Sequence, residues 1–376
     1  MKKSIASMVS CVVVMSVLFV GCMHSPVVEE EQEKKEEARP VKVGVLVPLS
    51  GPAAGYGEEA QMVLDYTASQ MNGEEVVVEL FYEDSKCAGK DAVTAYQKLV
   101  DITGVDAILG GFCSSETLAI EPLLEGNNIV ALSAGSSNPE IEGKSQNLMT
   151  LSYNDDVIAD AMTTSLEAYE KVALISEQND YNIGIKNALE KRLGDKIVAN
   201  EVFEKGATDM RNAIEKIKKA TPNAIVLNPN VGTTADNLLK QFAESTADLT
   251  DVALITQNAY LGDESRANAK DFAEGMIVFD APTITSDNMK VFVTALSGPT
   301  ENLGAFYTAT VHDALENLVR AVQNSQSNST SVLEELRNNP LSGFVANGKM
   351  FSGKNFMQGV TAGKFVVTDG KAVFQE

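Results

Sequence analysis

The chain has 376 residues and a formal charge of −22 at neutral pH, with 52 acidic side chains against 30 basic ones. Such a balance excludes a nucleic-acid surface, which needs Lys and Arg to meet phosphates. Its 2 histidines, His24 and His312, supply neither a histidine-built metal site nor a Ser-His-Asp triad.

In chain order, Met1-Lys2-Lys3 is a cationic start and Ser4 to Val20 an apolar run, the pattern of a secretory signal over residues 1–21. Leu18-Phe19-Val20-Gly21-Cys22 resembles the lipobox of bacterial lipoproteins, with Phe19 the less usual residue and Cys22 the lipidated one. The competing readings are an ordinary cleaved signal or a single anchoring helix. Residues 22–40, which include EEEQEKKEEARP, form a charge run without apolar periodicity and are expected to be a solvated tether. The folded body is expected from Val41 onward, long enough for two lobes. No later stretch is apolar enough, for long enough, to span a bilayer.

The body alternates strand and helix. VKVGVLVPL precedes GEEAQMVLDYTASQM, whose Ala60, Val63, Leu64 and Ala68 share a helical face. VVVELFYED, the helix DAVTAYQKLVDI, the strand DAILGG, the helix ETLAIEPLLEG and the strand IVALSA follow. Continuous apolar strands between amphipathic helices predict a parallel sheet covered on both faces. A second set has the same rhythm: VALISE, a helix over 183–193, KIVANEVF, a helix over 210–220, AIVLNP, TTADNLLKQFAEST and DVALITQ. An irregular stretch is expected near 258–263, then MIVFDAP as a strand returning toward the first lobe. The helix GAFYTATVHDALENLVRAV should pack there on Ala309, Ala314, Leu318 and Ala321. KFVVTDGKAVF is a hairpin signal around Asp369-Gly370. The expected fold class is α/β, two doubly wound, Rossmann-like parallel-sheet lobes with a ligand cleft between them. Residues 41–153 and 281–345 are assigned to lobe 1, and 154–280 and 346–376 to lobe 2.

Cys11 leaves with the signal and Cys22 carries the lipid, which leaves Cys87 and Cys113. An oxidising compartment favours their pairing over a reactive Cys113 thiol. Both follow the carboxyl ends of VVVELFYEDS and DAILGGF, read as neighbouring strands. GYGEEA, residues 55–60, has the glycine spacing of a dinucleotide loop, but SGPAA intervenes after the strand, so it reads as a wide turn into a helix and no cofactor is expected.

VGVLVPLSGPAAGYGEEA, FYEDSKC, GGFCSS, ALSAGSSNPEI and QNDYNIG, in this order, resemble the periplasmic leucine/isoleucine/valine-binding family of ABC transporter receptors, over almost the whole mature body and including the paired cysteines. The resemblance implies a type I periplasmic binding fold that closes on an amino acid and delivers it to a membrane permease. It implies that Ser114 takes the ligand carboxylate through hydroxyl and amide, at a helix start that already favours an anion; the bland alternative is a helix cap. It implies that Gly135, Ser136 and Ser137 meet the ligand's ammonium and carboxylate, Ser137 standing where better-known members have threonine. Phe112 belongs to the same wall, and Tyr56 and Tyr181 fall on aromatic positions of opposite lobes. Two positions depart from the family. Its second-lobe glutamate falls on Asn258, with Asp263 or Glu264 as substitutes, and an aromatic falls on Asn228. A neutral Asn258 compensates a buried ammonium poorly, which widens the ligand class to an amino acid or a similar small carboxylate or amide.

The function expected is a lipid-anchored, extracytoplasmic, monomeric solute receptor, not an enzyme, with a small-molecule ligand and an ABC permease as partners and no metal. The alternative keeps the fold and makes the protein a ligand sensor or an interaction lipoprotein.

Overall fold

The structure is a computed structural model that describes residues 39–73, 76–245, 251–262, 264–284, 286–328, 330–351 and 355–375. The signal, Cys22, Asp263 and all but the end of the tether lie outside the described residues. No described helix is long and apolar enough to cross a membrane.

Five short apolar strands form the first sheet: β1 (Val41–Val47), β2 (Val78–Asp84), β3 (Ala107–Leu109), β4 (Ala131–Ser133) and β5 (Leu148–Thr150). All pair in parallel, in the order β2-β1-β3-β4-β5. Parallel neighbours need long crossovers, and α1 (Ala54–Met71), α2 (Gly89–Gln97) and α3 (Ser114–Asn127) supply them. α1 buries Ala60, Val63, Leu64 and Ala68, the face its spacing predicts. Gly57 lets its first turn approach the chain before it, since a Cβ there would meet the Pro48 carbonyl oxygen at 2.0 Å. The glycine pattern therefore serves packing.

The chain then crosses to the second lobe through α4 (Asp155–Leu166), β6 (Val172–Glu177), α5 (Asp180–Leu193), β7 (Ile197–Phe203), α6 (Arg211–Lys219), β8 (Ala224–Asn228), α7 (Thr233–Ser245), β9 (Ala253–Thr256), α8 (Lys270–Ala273) and β10 (Ile277–Asp280). The parallel order β7-β6-β8-β9-β10 repeats that of the first sheet. Helices α9 (Asp287–Ala295), α10 (Gly304–Asn328) and α11 (Val332–Asn338) follow. α10 packs on α1, β1, β3 and β4, with Ala309, Ala314, Leu318 and Ala321 buried. The final hairpin, β11 (Gly363–Thr368) and β12 (Lys371–Gln375), adds antiparallel to β10. Asp369 and Gly370 have φ of 51° and 74°, the pair of left-handed residues that a two-residue hairpin turn requires.

Three expectations change. β2 and β3 are not neighbours, because β1 lies between them. β10 pairs with β9 and β11, so MIVFDAP belongs to the second sheet rather than returning to the first lobe. Residues 355–357 still follow the first sheet: Phe356 bridges Thr150, and Asn355 Nδ2 donates to the carbonyls of Ser145 and Leu148 at 2.9 and 2.8 Å. The chain thus leaves that sheet after Met357, later than the expected boundary at 346. Helices α4, α8, α9 and α11 and the short strand β5 were not read from the sequence.

One buried carboxylate organises the turn after α11. Asp313, 0% exposed on α10, accepts the amides of Phe344, Val345 and Ala346 at 2.8, 2.8 and 2.9 Å. Gly343 is required beside it, at φ 124° and with room for no Cβ. Replacing Asp313 by Ala leaves three amides without their acceptor and is expected to destabilise the protein by about 3 kcal/mol in urea denaturation. An unchanged midpoint and slope would refute that role.

Candidate functional site

Each sheet reverses its strand order once, between β1 and β3 and between β6 and β8. Loops leaving the carboxyl ends of strands on either side of such a point diverge and open a crevice. Here the two crevices face each other. Between them lies a space of about 650 Å³, its open mouth included. Its lining comes from the loops after β1, β2, β3 and β4 in the first lobe and β6, β7, β8 and β9 in the second, with Tyr307 from α10.

The first-lobe wall is built around the start of α3. Cys113 is bonded to Cys87, with Cα atoms 5.4 Å apart, so the disulfide spans the loops after β3 and β2 across the end of β1. Asp84 fixes the loop after β1 by accepting the Leu49 amide at 2.9 Å and the Ser50 hydroxyl at 2.5 Å. Beneath α3, Glu116 is wholly buried and accepts the Cys113 amide at 2.8 Å and the Ser85 hydroxyl at 2.5 Å. Burial pushes its carboxyl up from 4.5 to about 7.

Ser114 is the first residue of α3, after Cys113 at the cap position, so its hydroxyl does not cap the helix. Ser114 Oγ accepts the amides of Ser137 and Asn138 at 3.4 and 3.3 Å. With its lone pairs engaged by two donors, its own hydrogen is free to point at a bound acceptor. Gly135 and Ser137 line the space with it. Ser137 Oγ donates to Asp155 Oδ2 at 3.0 Å. Asp155 is 0% exposed, its Oδ1 has no hydrogen-bond partner, and burial drives its carboxyl well above the ordinary range. Ser136, expected at the ligand, is not there. It is buried, and its hydroxyl bonds the Gly111 carbonyl at 3.0 Å and Thr117 Oγ1 at 2.5 Å. Consecutive residues of an extended segment face opposite sides, so Ser137 looks into the cleft while Ser136 looks into the lobe.

On the second lobe, Asn179 caps α5 by accepting the Asn182 amide at 2.9 Å. Tyr181 donates to Asn258 Oδ1 at 3.3 Å, and both line the space. Asn228 does not. It is 1% exposed and closes a network with Asn182 and Ser176, donating to Ser176 Oγ at 3.0 Å and accepting from Asn182 Nδ2 at 2.9 Å. Two residues further on, Asn230 and Val231 take the place expected of it. Glu264's side chain lies outside the described residues. Lys205, from the loop after β7, reaches across the mouth and donates to the Cys87 carbonyl at 2.8 Å. A second bridge joins Asn138 Nδ2 to the Asp180 carbonyl at 2.5 Å.

Aromatic rings complete the lining. Tyr56 and Phe112 stand 5.7 Å apart and Phe112 and Tyr307 6.0 Å. Behind them Tyr307 donates to Tyr153 at 3.0 Å, and Tyr153 to Asp280 at 2.8 Å. Burial pushes the Asp280 carboxyl from 3.8 up to about 6. Sequence reasoning missed Lys205, Asn230, Val231, Asn179 and Tyr307. The first four carry a usable signal, since each follows the carboxyl end of a parallel strand. Tyr307 carries none, being one more half-apolar residue of a long helix. Metal chemistry finds few donors here: Cys87 and Cys113 lie beside Glu116 but are consumed by their own bond, and Asp313, beside His312 and Glu316, is held by backbone amides.

This architecture meets known proteins over nearly its whole length. A family described as periplasmic binding protein matches residues 40–371. The chain belongs to the periplasmic binding protein family. It is 27% identical to an amino acid binding protein of Pseudomonas aeruginosa over 323 residues, 80% of this chain and 83% of that one. It is 24% identical to the Leu/Ile/Val-binding protein of Escherichia coli over 310 residues, 77% and 80% of the two chains. A leucine-binding protein from Thermotoga maritima superposes with a TM-score of 0.76 at 19% identity, over 89% of this chain and 98% of that one. A solute-binding protein from R. palustris, in complex with 4-hydroxybenzoate, gives 0.77 at 18% identity, over 90% and 96%. The fold is therefore the type I, two-lobed α/β fold of periplasmic solute-binding proteins, whose members are binding receptors rather than enzymes.

The raised carboxyls of this binding protein, Glu116, Asp280 and Asp155, set a pH dependence. Glu116 and Asp280 keep, in the folded state, protons that the unfolded chain has released, so folding binds protons between about pH 4 and 7. Their contribution is full below that window and is lost progressively across it, so stability should fall as pH rises from about 4 to 7. Glu116→Gln should flatten the upper part of this slope in thermal melts. A melting temperature that climbs steadily with pH over the window would overturn the account.

Proposed function

We propose that this protein is the extracytoplasmic receptor of an ABC importer, which binds an amino acid or a similar small carboxylate or amide in the interlobe cleft and delivers it to a membrane permease. The observation that carries the reading is the Ser114 hydroxyl. Two amides of the neighbouring loop fix it, its hydrogen is unclaimed among the described contacts, and it stands at the start of a 14-residue helix in a cleft walled by Tyr56, Phe112, Tyr181 and Tyr307. Such a site offers oriented donors to an anionic group and apolar faces to the rest of the molecule. The Escherichia coli relative is named for leucine, isoleucine and valine and the Pseudomonas aeruginosa one for amino acids, and the 4-hydroxybenzoate carried by one structural neighbour shares the carboxylate. Tyr56, Phe112, Gly135, Ser137, Tyr181 and Asn258 are the further ligand residues of this reading, and Ser136 and Asn228 support them from behind.

Ligand bound only by the folded state raises apparent stability. A thermal-shift screen of the mature protein against all amino acids, short amides and small carboxylates is expected to give at least one hit. Ser114→Ala should weaken that hit about tenfold, the loss of roughly one charge-assisted hydrogen bond. Unchanged affinity in the variant would sink the assignment of Ser114, and a screen without any hit would sink the receptor reading.

The same reading places the protein on a membrane through a lipid on Cys22, with the acidic segment as a tether between lipid and receptor. Cys22→Ser is expected to move the protein from the membrane fraction to the soluble extracytoplasmic fraction. Retention on the membrane would rule the lipid out.

A further inference from the structure

We propose that Lys205 makes the cleft selective for a net-anionic ligand, a small aryl or branched alkyl carboxylate without an α-ammonium group, whose carboxylate is shared between the start of α3 and the Lys205 ammonium. The inference rests on the cleft being the ligand site.

Lys205 is the one charged side chain among the described residues that line the space. Its ammonium donates to the Cys87 carbonyl at 2.8 Å, the carbonyl that also accepts the Ser115 hydroxyl at 3.2 Å. Cys87 is bonded to Cys113, the cap residue of α3. The ammonium thus stands at the start of that helix. The first-turn amides of a helix have no partner within it, and together they present about half a positive charge. A cation belongs at the other end of a helix. The acid of this first turn, Glu116, is buried beneath the helix with its oxygens on the Cys113 amide and the Ser85 hydroxyl, so on the cleft side the two positive poles converge without an acid among the described lining residues. Glu177, the acid of the adjacent strand end, forms no ion pair with Lys205 among the described contacts, and its two oxygens face the amides of Gly206 and Asn230 at 3.0 and 2.7 Å. In a chain of charge −22, a lone cation aimed at a helix start is a specific arrangement. A carboxylate seated on Ser114 supplies the missing anion.

The same inventory disfavours a zwitterion. An α-ammonium needs a negative or strongly accepting partner when it leaves water. No acid lines the space among the described residues, and Asn258 offers only an amide, whose oxygen already receives Tyr181. Asp155 is fully buried behind Ser137. The body of the ligand then lies against Tyr56, Phe112, Tyr181 and Val231, faces suited to an aryl or branched alkyl group.

The test uses matched pairs that differ only in the amino group: L-leucine with 4-methylpentanoate, and L-phenylalanine with 3-phenylpropanoate, together with 4-hydroxybenzoate and the neutral 4-methylpentanamide. Affinities are measured by titration calorimetry on the full-length protein in detergent, at low and high salt. In at least one pair the deaminated carboxylate is expected to bind about tenfold tighter than its amino acid. Lys205→Met should weaken carboxylates about tenfold and flatten their salt dependence, should leave any binding of the neutral amide unchanged, and should be rescued by Lys205→Arg. Amino acids that bind tighter than their deaminated partners would overturn the inference and leave the receptor reading standing. So would a Lys205→Met variant with undiminished carboxylate affinity and salt dependence. If no probe binds the unaltered protein, the receptor reading fails and this inference fails with it.

Discussion

The hydrogen-bonded chain Asp280–Tyr153–Tyr307 is the interaction on which the two-lobed arrangement turns. Tyr153 lies in the first passage between the lobes, Asp280 ends the last parallel strand before the second passage, and Tyr307 opens the helix that follows it. A carboxyl buried this deeply is tolerable only with a donor in place, and that donor comes from a segment 127 residues away in sequence. The two passages are thereby held side by side. Tyr307 carries the constraint into the cleft, because its ring packs on Phe112 and Phe112 on Tyr56. The aromatic wall of the site and the crossing of the chain are one packed unit, and a single apolar core that includes Leu151, Tyr153, Phe279 and Phe306 runs through both lobes.

Parallel topology does the rest. Each parallel strand of both sheets hands its chain to a loop at the same edge, so residues far apart in sequence arrive at one place without any sequence motif that spans them. The lobes divide the work. The first-lobe wall is fixed in advance by a disulfide, by Glu116 under the helix start and by two amides on Ser114. The second-lobe wall is fixed less directly: Asn258 is tied to Tyr181, while the loop that carries Lys205 is fastened through the Gly206 amide to Glu177. Preorganisation on one side lowers the ordering cost of binding there, and adaptation falls to the other side.

The sequence made the α/β alternation legible because it rests on periodicity, which a single chain displays. It made the Cys87–Cys113 bond legible because few cysteines remained to be paired. Side-chain direction at the end of a strand was not legible. Asn228 and Asn230, or Ser136 and Ser137, are chemically alike, and only the register of the strand ends decides which of each pair reaches the cleft. Asn228 pairs in register with Ser176 and turns toward it, and no composition or spacing records that choice. The neighbour relation of β2 and β3 failed for a similar reason. Loop proximity does not require strand adjacency when a disulfide can cross the end of an intervening strand.

The bonds across the cleft are few and weak, and their magnitude bears on how the lobes can work. Lys205 to the Cys87 carbonyl and Asn138 to the Asp180 carbonyl are both half-buried contacts. Bonds of this kind contribute about 1 kcal/mol each, whereas a micromolar ligand releases about 8 kcal/mol. Two such bonds bias the lobes toward each other without holding them shut. Thermal opening by breaking both remains accessible, since a penalty of a few kcal/mol leaves an open population of up to several per cent. A ligand that engages Ser114 and Tyr181 at once adds contacts available only when the lobes meet, and it can shift the balance by no more than that difference in affinity. For a binding protein this order of magnitudes is apt: its own cross-cleft bonds are small, so a ligand bound in the cleft would have to supply most of the closure.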